Sequence, residues 1–295
     1  MTDAQATVSQ LWVYPVKSCA GVMVQEATLT DMGLLHDRCW MVVDAHGEMV
    51  SQRDVPQMAL IQPSLRLSDV VLRAPGMLAL HLALFEVQEP VKVQLWGHIM
   101  PAFDMGDVAA QWFSDFLGQT SEGKALGPLR LARFDPDHVR LSSTQWTGTV
   151  AAKNQFSDGY PYLVCSQASV EDLNARLAAQ GHGAVDLRRF RPNIVLSGIA
   201  AHDEDHLRSL SWQAEEGQVV LQPVKPCSRC PMPNVDPDTA AVNPLLGDVL
   251  QSYRQDRRLD GAISFGMNAI ATQGVSEDVE PVLRVGQVLD LQYLL

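Results

Sequence analysis

Apolar residues in the first hundred positions fall in short extended runs separated by turn residues, a pattern that points to strands. Cys39-Trp-Met-Val-Val43 and Glu48-Met-Val-Ser51 flank Asp44-Ala-His-Gly47, a hairpin signature. Leu65-Arg-Leu67, Val70-Val-Leu72 and the stretches 78–84 and 91–95 continue it. A helix is predicted over 107–117, with Val108, Trp112, Phe116 and Leu117 on its apolar stripe and Gly118 as its stop.

Between 118 and 155 the composition shifts to Thr, Ser, Gly, Pro, Asp and His with few long apolar runs. A boundary or linking loop is placed there, dividing the chain into 1–120 and 121–295. Beyond it, Ser169-x-x-Asp172 reads as a capping box for a helix over 170–180, ended by Gly181. Strands are predicted at 193–197, 219–224, 262–265 and 288–293, the last after a hairpin-like turn, Arg284-Val-Gly-Gln287. The fold class is strand-rich α+β.

With 295 residues, 46% hydrophobic and 19% charged, the chain is expected to be globular, with one large or two ordinary domains. No apolar run approaches the length of about 18 residues that suggests a membrane-spanning helix. The N-terminus lacks the basic and apolar segments of a signal peptide, so a cytoplasmic location is expected. A net charge of −12 disfavours nucleic acid as a partner, since phosphates would be repelled. The five cysteines form an odd, sparse set, which suits a reducing compartment rather than a disulfide framework.

Two of those cysteines lie in Lys225-Pro-Cys-Ser-Arg-Cys-Pro-Met-Pro-Asn234, followed at once by Val235-Asp-Pro-Asp-Thr239. The prolines predict a stiff loop leaving a strand end, with helix and central strand disfavoured. Arg229 supplies a fixed positive charge that favours a thiolate at Cys230. Three chemistries fit: a structural zinc site, a redox dithiol, or one thiolate, Cys230, bound to a metal held mainly by a cofactor. Zinc lacks a second cysteine pair, and the acids in His202-Asp-Glu-Asp-His206 read as a solvated loop.

Tyr14-Pro-Val-Lys-Ser-Cys19 sets Lys17 beside Ser18, and His36-Asp-Arg-Cys-Trp40 places Arg38 at a strand mouth. Both suit an anion; a surface lysine and a structural ion pair are the plainer alternatives. Phe156-Ser-Asp158 puts Ser157 and Asp158 in a turn, and Arg189-Phe-Arg-Pro-Asn193 opens a strand with Arg191 and Asn193. An arginine can clamp a phosphate, and an amide can read both edges of a heterocycle.

These segments, in this order and with Gln111-Trp112, 250–254 and 285–288, resemble the molybdenum-cofactor-sulfurase C-terminal (MOSC) domain family with its N-terminal β-barrel domain. Among its members the amidoxime-reducing components and their bacterial counterparts look most similar. The resemblance implies a β-barrel-like domain over 1–120 packed on a MOSC β-barrel over 121–295 with peripheral helices. It implies Mo-molybdopterin as cofactor, its dinucleotide form left open, with Cys230 as the catalytic metal ligand. Lys17, Ser18, Arg38 and Arg191 would surround phosphate and pterin. Ser157, Asp158, Asn193, Ser228 and Arg229 would bond pterin edges or orient the metal loop, and Asn268 in Phe265-Gly-Met-Asn268 would touch the cofactor.

The implied reaction is reduction of small N-hydroxylated compounds (amidoximes, hydroxylamines, N-hydroxylated bases) by oxygen-atom transfer to molybdenum; a cofactor or sulfur carrier is the alternative. No cysteine follows Cys230, so electrons are expected from a separate protein, cytochrome b5-like or a ferredoxin or flavoprotein. Pro231-Met-Pro-Asn234 departs from the aliphatic pair and two threonines of eukaryotic members, so their substrate range does not carry over.

Overall fold

In a computed structural model describing residues 3–86, 89–118, 123 and 125–294, seven strands close into a barrel. Around the barrel the order is Ile194–Ser197, Tyr162–Ser166, Ser264–Gln273, Gly217–Ser228, Leu207–Ala214, Val288–Tyr293 and Ala4–Val13, which pairs back onto Ile194–Ser197. The first strand of the chain thus completes a barrel built otherwise from residues after 161. It buries Ala6 and Val8, then Leu11 and Val13; a bulge between Val8 and Gln10 shifts the alternation by one residue and keeps the apolar face inward.

Residues Tyr162–Ser166 are buried on both faces. Tyr162 and Val164 join the barrel core, while Leu163 and Cys165 pack under the helices Gln167–Ala179 and Leu245–Tyr253. That explains an apolar run without alternation. Gly266, on the neighbouring strand, has φ +73°, and a Cβ there would lie 2.8 Å from Val164 O. Only glycine permits that approach.

The N-terminal part is the expected barrel-like set of small sheets. Trp40–Val43, Arg130–Phe134, His98–Asp104 and Pro90–Leu95 form one, and Gln62–Leu65, Asp69–Arg73 and Leu80–Ala83 another. The Asp44–Gly47 turn forms as predicted, its Asp44 carboxylate accepting from His46 N and Glu48 N. The predicted boundary between 120 and 121 lies outside the described residues. Arg130–Phe134, within the stretch read as a loop, is a strand because two partner strands hold it; five residues without alternation carry no signal of their own.

Other expectations change. The helix Gly106–Leu117 turns Ala109, Trp112, Phe113 and Leu117 inward and leaves Val108 77% exposed, so the stripe starts one residue later than predicted. Helix Gln167–Ala179 begins before the proposed capping box, with Ser166 at its N-cap. Arg284–Gln287 does turn, but Val282–Arg284 pairs with Glu26–Thr30 and Val288–Tyr293 with two barrel strands, so they form no hairpin. Strand Gly217–Ser228 runs through Pro223 and Pro226, with bulges absorbing both prolines, so the first four residues of the cysteine segment are strand.

The acidic run 202–206 is not the solvated loop expected, because Glu204 and Asp205 are buried. Glu204 is fully buried, and its carboxylate accepts from Ser166 N at 3.0 Å and Ser169 Oγ at 2.8 Å, capping the helix N-terminus from outside. Asp205 pairs with Arg254 at 2.5 Å. Burial raises the Glu204 pKa to about 7 despite those bonds. A raised folded-state pKa means that stability falls as pH climbs from the ordinary carboxylate range to about 7, then levels. Glu204→Gln keeps an acceptor and is expected to remove that part of the slope, at most about 3 kcal/mol, in denaturant titrations between pH 4.5 and 7.5.

Candidate functional site

One row of hydrogen-bonded neighbours crosses the barrel wall and aligns the site. Trp12 N donates to Asn193 O and Asn193 N to Leu163 O, while Asn268 lies opposite both Leu163 and Lys225. The loops beside this row converge on a narrow cavity of about 100 Å³. Lys17, Ser18, Arg38, Ser157, Asp158, Arg191, Asn193, Ser228, Arg229, Cys230 and Asn268, all singled out from sequence, line it.

The two cationic segments of the N-terminal part are built into the site. Lys17 is only 6% exposed, which excludes an ordinary surface lysine. Its Nζ donates to Phe156 O at 2.9 Å and pairs with Asp158 Oδ1 at 2.5 Å, joining the first loop to the Phe156–Asp158 turn. The Asp158 side chain is itself largely exposed, and the Lys17 ammonium, with Arg38 and Arg53 adding to its field, holds that carboxyl below the usual range. Arg38 pairs with Asp37 and donates to Asn193 Oδ1 at 3.1 Å and Arg191 O at 3.2 Å.

Arg38 and Arg191 also approach the buried Tyr14 ring, at 4.5 and 4.3 Å from its centroid. Arg191 donates through Nη1 to Cys19 O at 2.5 Å, while its Nη2 is buried without a partner. Burial, then the Arg38 charge, lowers its pKa to about 10. Ser18 Oγ is likewise buried and unbonded. Ser18, Arg38 and Arg191 all have positive φ (69°, 52° and 55°), strain retained where side chains must be aimed.

The cysteine loop is tied down from both sides. Arg229 donates to Phe265 O at 3.0 and 2.5 Å and to Phe190 O at 3.0 Å, and Phe190 and Phe265 stack at 3.9 Å. Three of its donors therefore serve backbone carbonyls. Val235-Asp-Pro-Asp-Thr239 folds around Asp236 Oδ1, which accepts from Asp238 N, Thr239 N and Thr239 Oγ1. Asp236 and Asp238 grip Arg189 and Arg188, fastening the turn after Cys230 to the loop that carries Arg191. Cys230 stays exposed. Cys227 packs against the helix-side core, and burial raises its pKa, as it does those of Cys19, Cys39 and Cys165.

Asn193 uses its Oδ1 on Arg38 and Leu163 N, and its Nδ2 on Trp12 O. Ser157 Oγ donates to Asn154 Oδ1 at 3.1 Å. Sequence reading missed Tyr14 as a centrepiece and Arg140, which donates to Gln155 O, Ser157 O and Asp158 O and shapes that turn. Arg140 stands alone in a mixed-composition stretch, where no spacing marks it.

A thiol facing solvent suits a soft or high-valent metal, and two buried, unmatched donors on residues lining the same cavity suit an anion. The residues present therefore fit a metal carried by an anionic cofactor. The narrow cavity alone is below the roughly 300–1,000 Å³ of small-molecule sites. It is flanked by spaces of about 890 Å³, sharing Cys230 and Asn268, and about 710 Å³, sharing Arg191.

Closed barrel, appended strand-rich part and thiol-bearing cavity define a two-part MOSC protein. Residues 5–120 match the MOSC N-terminal beta barrel domain and residues 151–290 the MOSC domain, so the chain belongs to the MOSC family. It is 37% identical to mitochondrial amidoxime-reducing component 1 of Mus musculus, with 95% of this chain and 83% of the relative covered. The Homo sapiens protein of that name is 36% identical at the same coverage. A molybdenum cofactor sulfurase from Bos taurus is 28% identical over 94% of this chain but only 32% of its own length.

Proposed function

We propose that this chain is a molybdenum-cofactor-dependent oxidoreductase that reduces N-hydroxylated compounds. The observation that carries the reading is one cavity joining the exposed Cys230 thiol to the unpartnered donors Ser18 Oγ and Arg191 Nη2. Relatives named amidoxime-reducing components support the reaction class, and the sulfurase supports the cofactor.

Cys230 would ligate the metal. Ser18 Oγ and Arg191 Nη2 would donate to the anionic end of Mo-molybdopterin, with Lys17 and Arg38 setting the field there. Ser157, Asp158, Asn193, Ser228 and Asn268 would line the pterin, and Arg229 would hold the cysteine loop through Phe265 O and Phe190 O. When bound, the cofactor supplies the redox centre that accepts the substrate's oxygen. Asp158, kept ionised by Lys17, orients that lysine and is no proton donor near neutral pH.

The reading retains two parts, with Ala4–Val13 counted with the MOSC barrel and Arg130–Phe134 with the N-terminal sheets, a cytoplasmic setting and a separate electron-donor protein, cytochrome b5-like or a ferredoxin or flavoprotein. No helix among the described residues is long and apolar enough to cross a membrane. Purified protein is expected to contain stoichiometric molybdenum and oxidisable pterin, and to reduce benzamidoxime with an artificial electron donor. Cofactor without turnover would make it a carrier; absence of both would reject the assignment.

A further inference from the structure

The geometry points to a selective vestibule over Cys230, walled by Trp96 and exposed apolar residues, that admits flat, uncharged N-hydroxylated substrates and expels the cations they become. This rests on the proposed reductase and names its substrate class. The space of about 890 Å³ shares Cys230 with the cofactor cavity. Trp96, Ile99, Val139 and Leu141 line it, and all four are exposed. Scattered exposed apolar side chains need no explanation, but four around one opening that the exposed thiol also lines do.

Trp96 is the sharpest case. Strands Pro90–Leu95 and His98–Asp104 pair through His98 and Leu95, leaving Trp96-Gly97 as a two-residue turn with φ of 54° and 78°. Such a turn favours Asn-Gly, and an indole there strains the backbone without reaching a core, since Trp96 is 43% exposed. What the indole does reach is the site. Arg53 stacks at 4.4 Å from its centroid, and Lys17 Nζ lies 6.0 Å away. The indole is thus held at the rim by Arg53 while part of it stays exposed.

Charge supplies the second criterion. In a chain of net charge −12, this opening carries Arg53, Arg140 and Lys225, none with a carboxylate partner among the described residues. Lys225 instead lies 5.7 Å from the rings of Trp146 and Tyr160. The acid lining the opening, Asp158, is neutralised by Lys17. An aryl amidoxime is uncharged at neutral pH. On reduction its N–O bond breaks, two electrons from the separate donor protein and two protons are taken up, and oxygen leaves as water. The amidine then takes a further proton from solvent and becomes a cation, which the rim repels.

The test compares wild-type holoprotein with Trp96→Asn and Lys225→Gln, each checked for molybdenum content and melting temperature. Asparagine suits the turn, so Trp96→Asn is expected to melt no lower than wild type. Its ratio of kcat/KM for benzamidoxime over that for hydroxylamine is expected to fall about tenfold. Lys225→Gln is expected to tighten inhibition by benzamidine about threefold. An unchanged ratio, or unchanged benzamidine inhibition, overturns the corresponding half of the proposal. If wild type turns over neither substrate, the reductase reading fails separately. Calorimetric binding of benzamidoxime, lost in Trp96→Asn or retained, then decides the vestibule.

Discussion

Cys230→Ser is expected to leave less than about a tenth of the wild-type molybdenum on the protein, while Cys227→Ser keeps most of it. Cys230 is the exposed thiol of the pair, while Cys227, which lines the same two cavities, is half-buried. Cys227 packs against the helix-side core, where burial raises its pKa and disfavours a thiolate. Serine keeps the size of the side chain but replaces a soft sulfur donor by a hard hydroxyl. Metal analysis paired with pterin-oxidation fluorescence separates loss of metal from loss of the whole cofactor. Equal loss in the two variants would make both sulfurs ligands and remove the asymmetry on which the mechanism is built.

Arg191→Met should have two opposite effects. The guanidinium lacks a carboxylate partner among the described residues, and its Nη2 is buried and unbonded in a residue that lines the same cavity as Ser18. In the cofactor-free protein that arrangement costs stability, because a desolvated cation is only partly compensated by Cys19 O and the Tyr14 ring. Methionine, similar in reach and uncharged, is therefore expected to raise the melting temperature of the cofactor-free form. Cofactor retention should fall tenfold to a hundredfold, about the 1.5–3 kcal/mol of a lost charge-assisted hydrogen bond. Arg191→Lys, which keeps charge but not the planar fork, should fall between. Lower stability together with unchanged retention would assign Arg191 to the scaffold instead.

The residues that line the candidate cavity were legible because they sit in short local motifs. Prolines around Cys230, adjacent Lys17 and Ser18, and the Arg191-Pro-Asn193 turn each announce themselves within a few residues. Their roles toward one another were not legible. The ion pair of Lys17 with Asp158 spans 141 positions, and the contact of Arg38 with Asn193 spans 155. Trp96 and Arg140 carry no motif, since a single side chain at a turn or in a mixed stretch has no spacing to read. The acidic run 202–206 misled for a related reason. Charge predicts solvation until a helix N-terminus and Arg254 claim Glu204 and Asp205.

Strand and helix periodicities, the five-cysteine inventory and the ordered motifs follow from sequence alone, because each depends on residues close together in the chain. Barrel closure by Ala4–Val13, the phase of helix Gly106–Leu117 and the bulges that carry Pro223 and Pro226 were settled only by tertiary pairing. So was the burial that leaves Arg191 Nη2 an unsatisfied donor. Solvent exclusion is a property of the packed molecule, and it gives these side chains their chemical character.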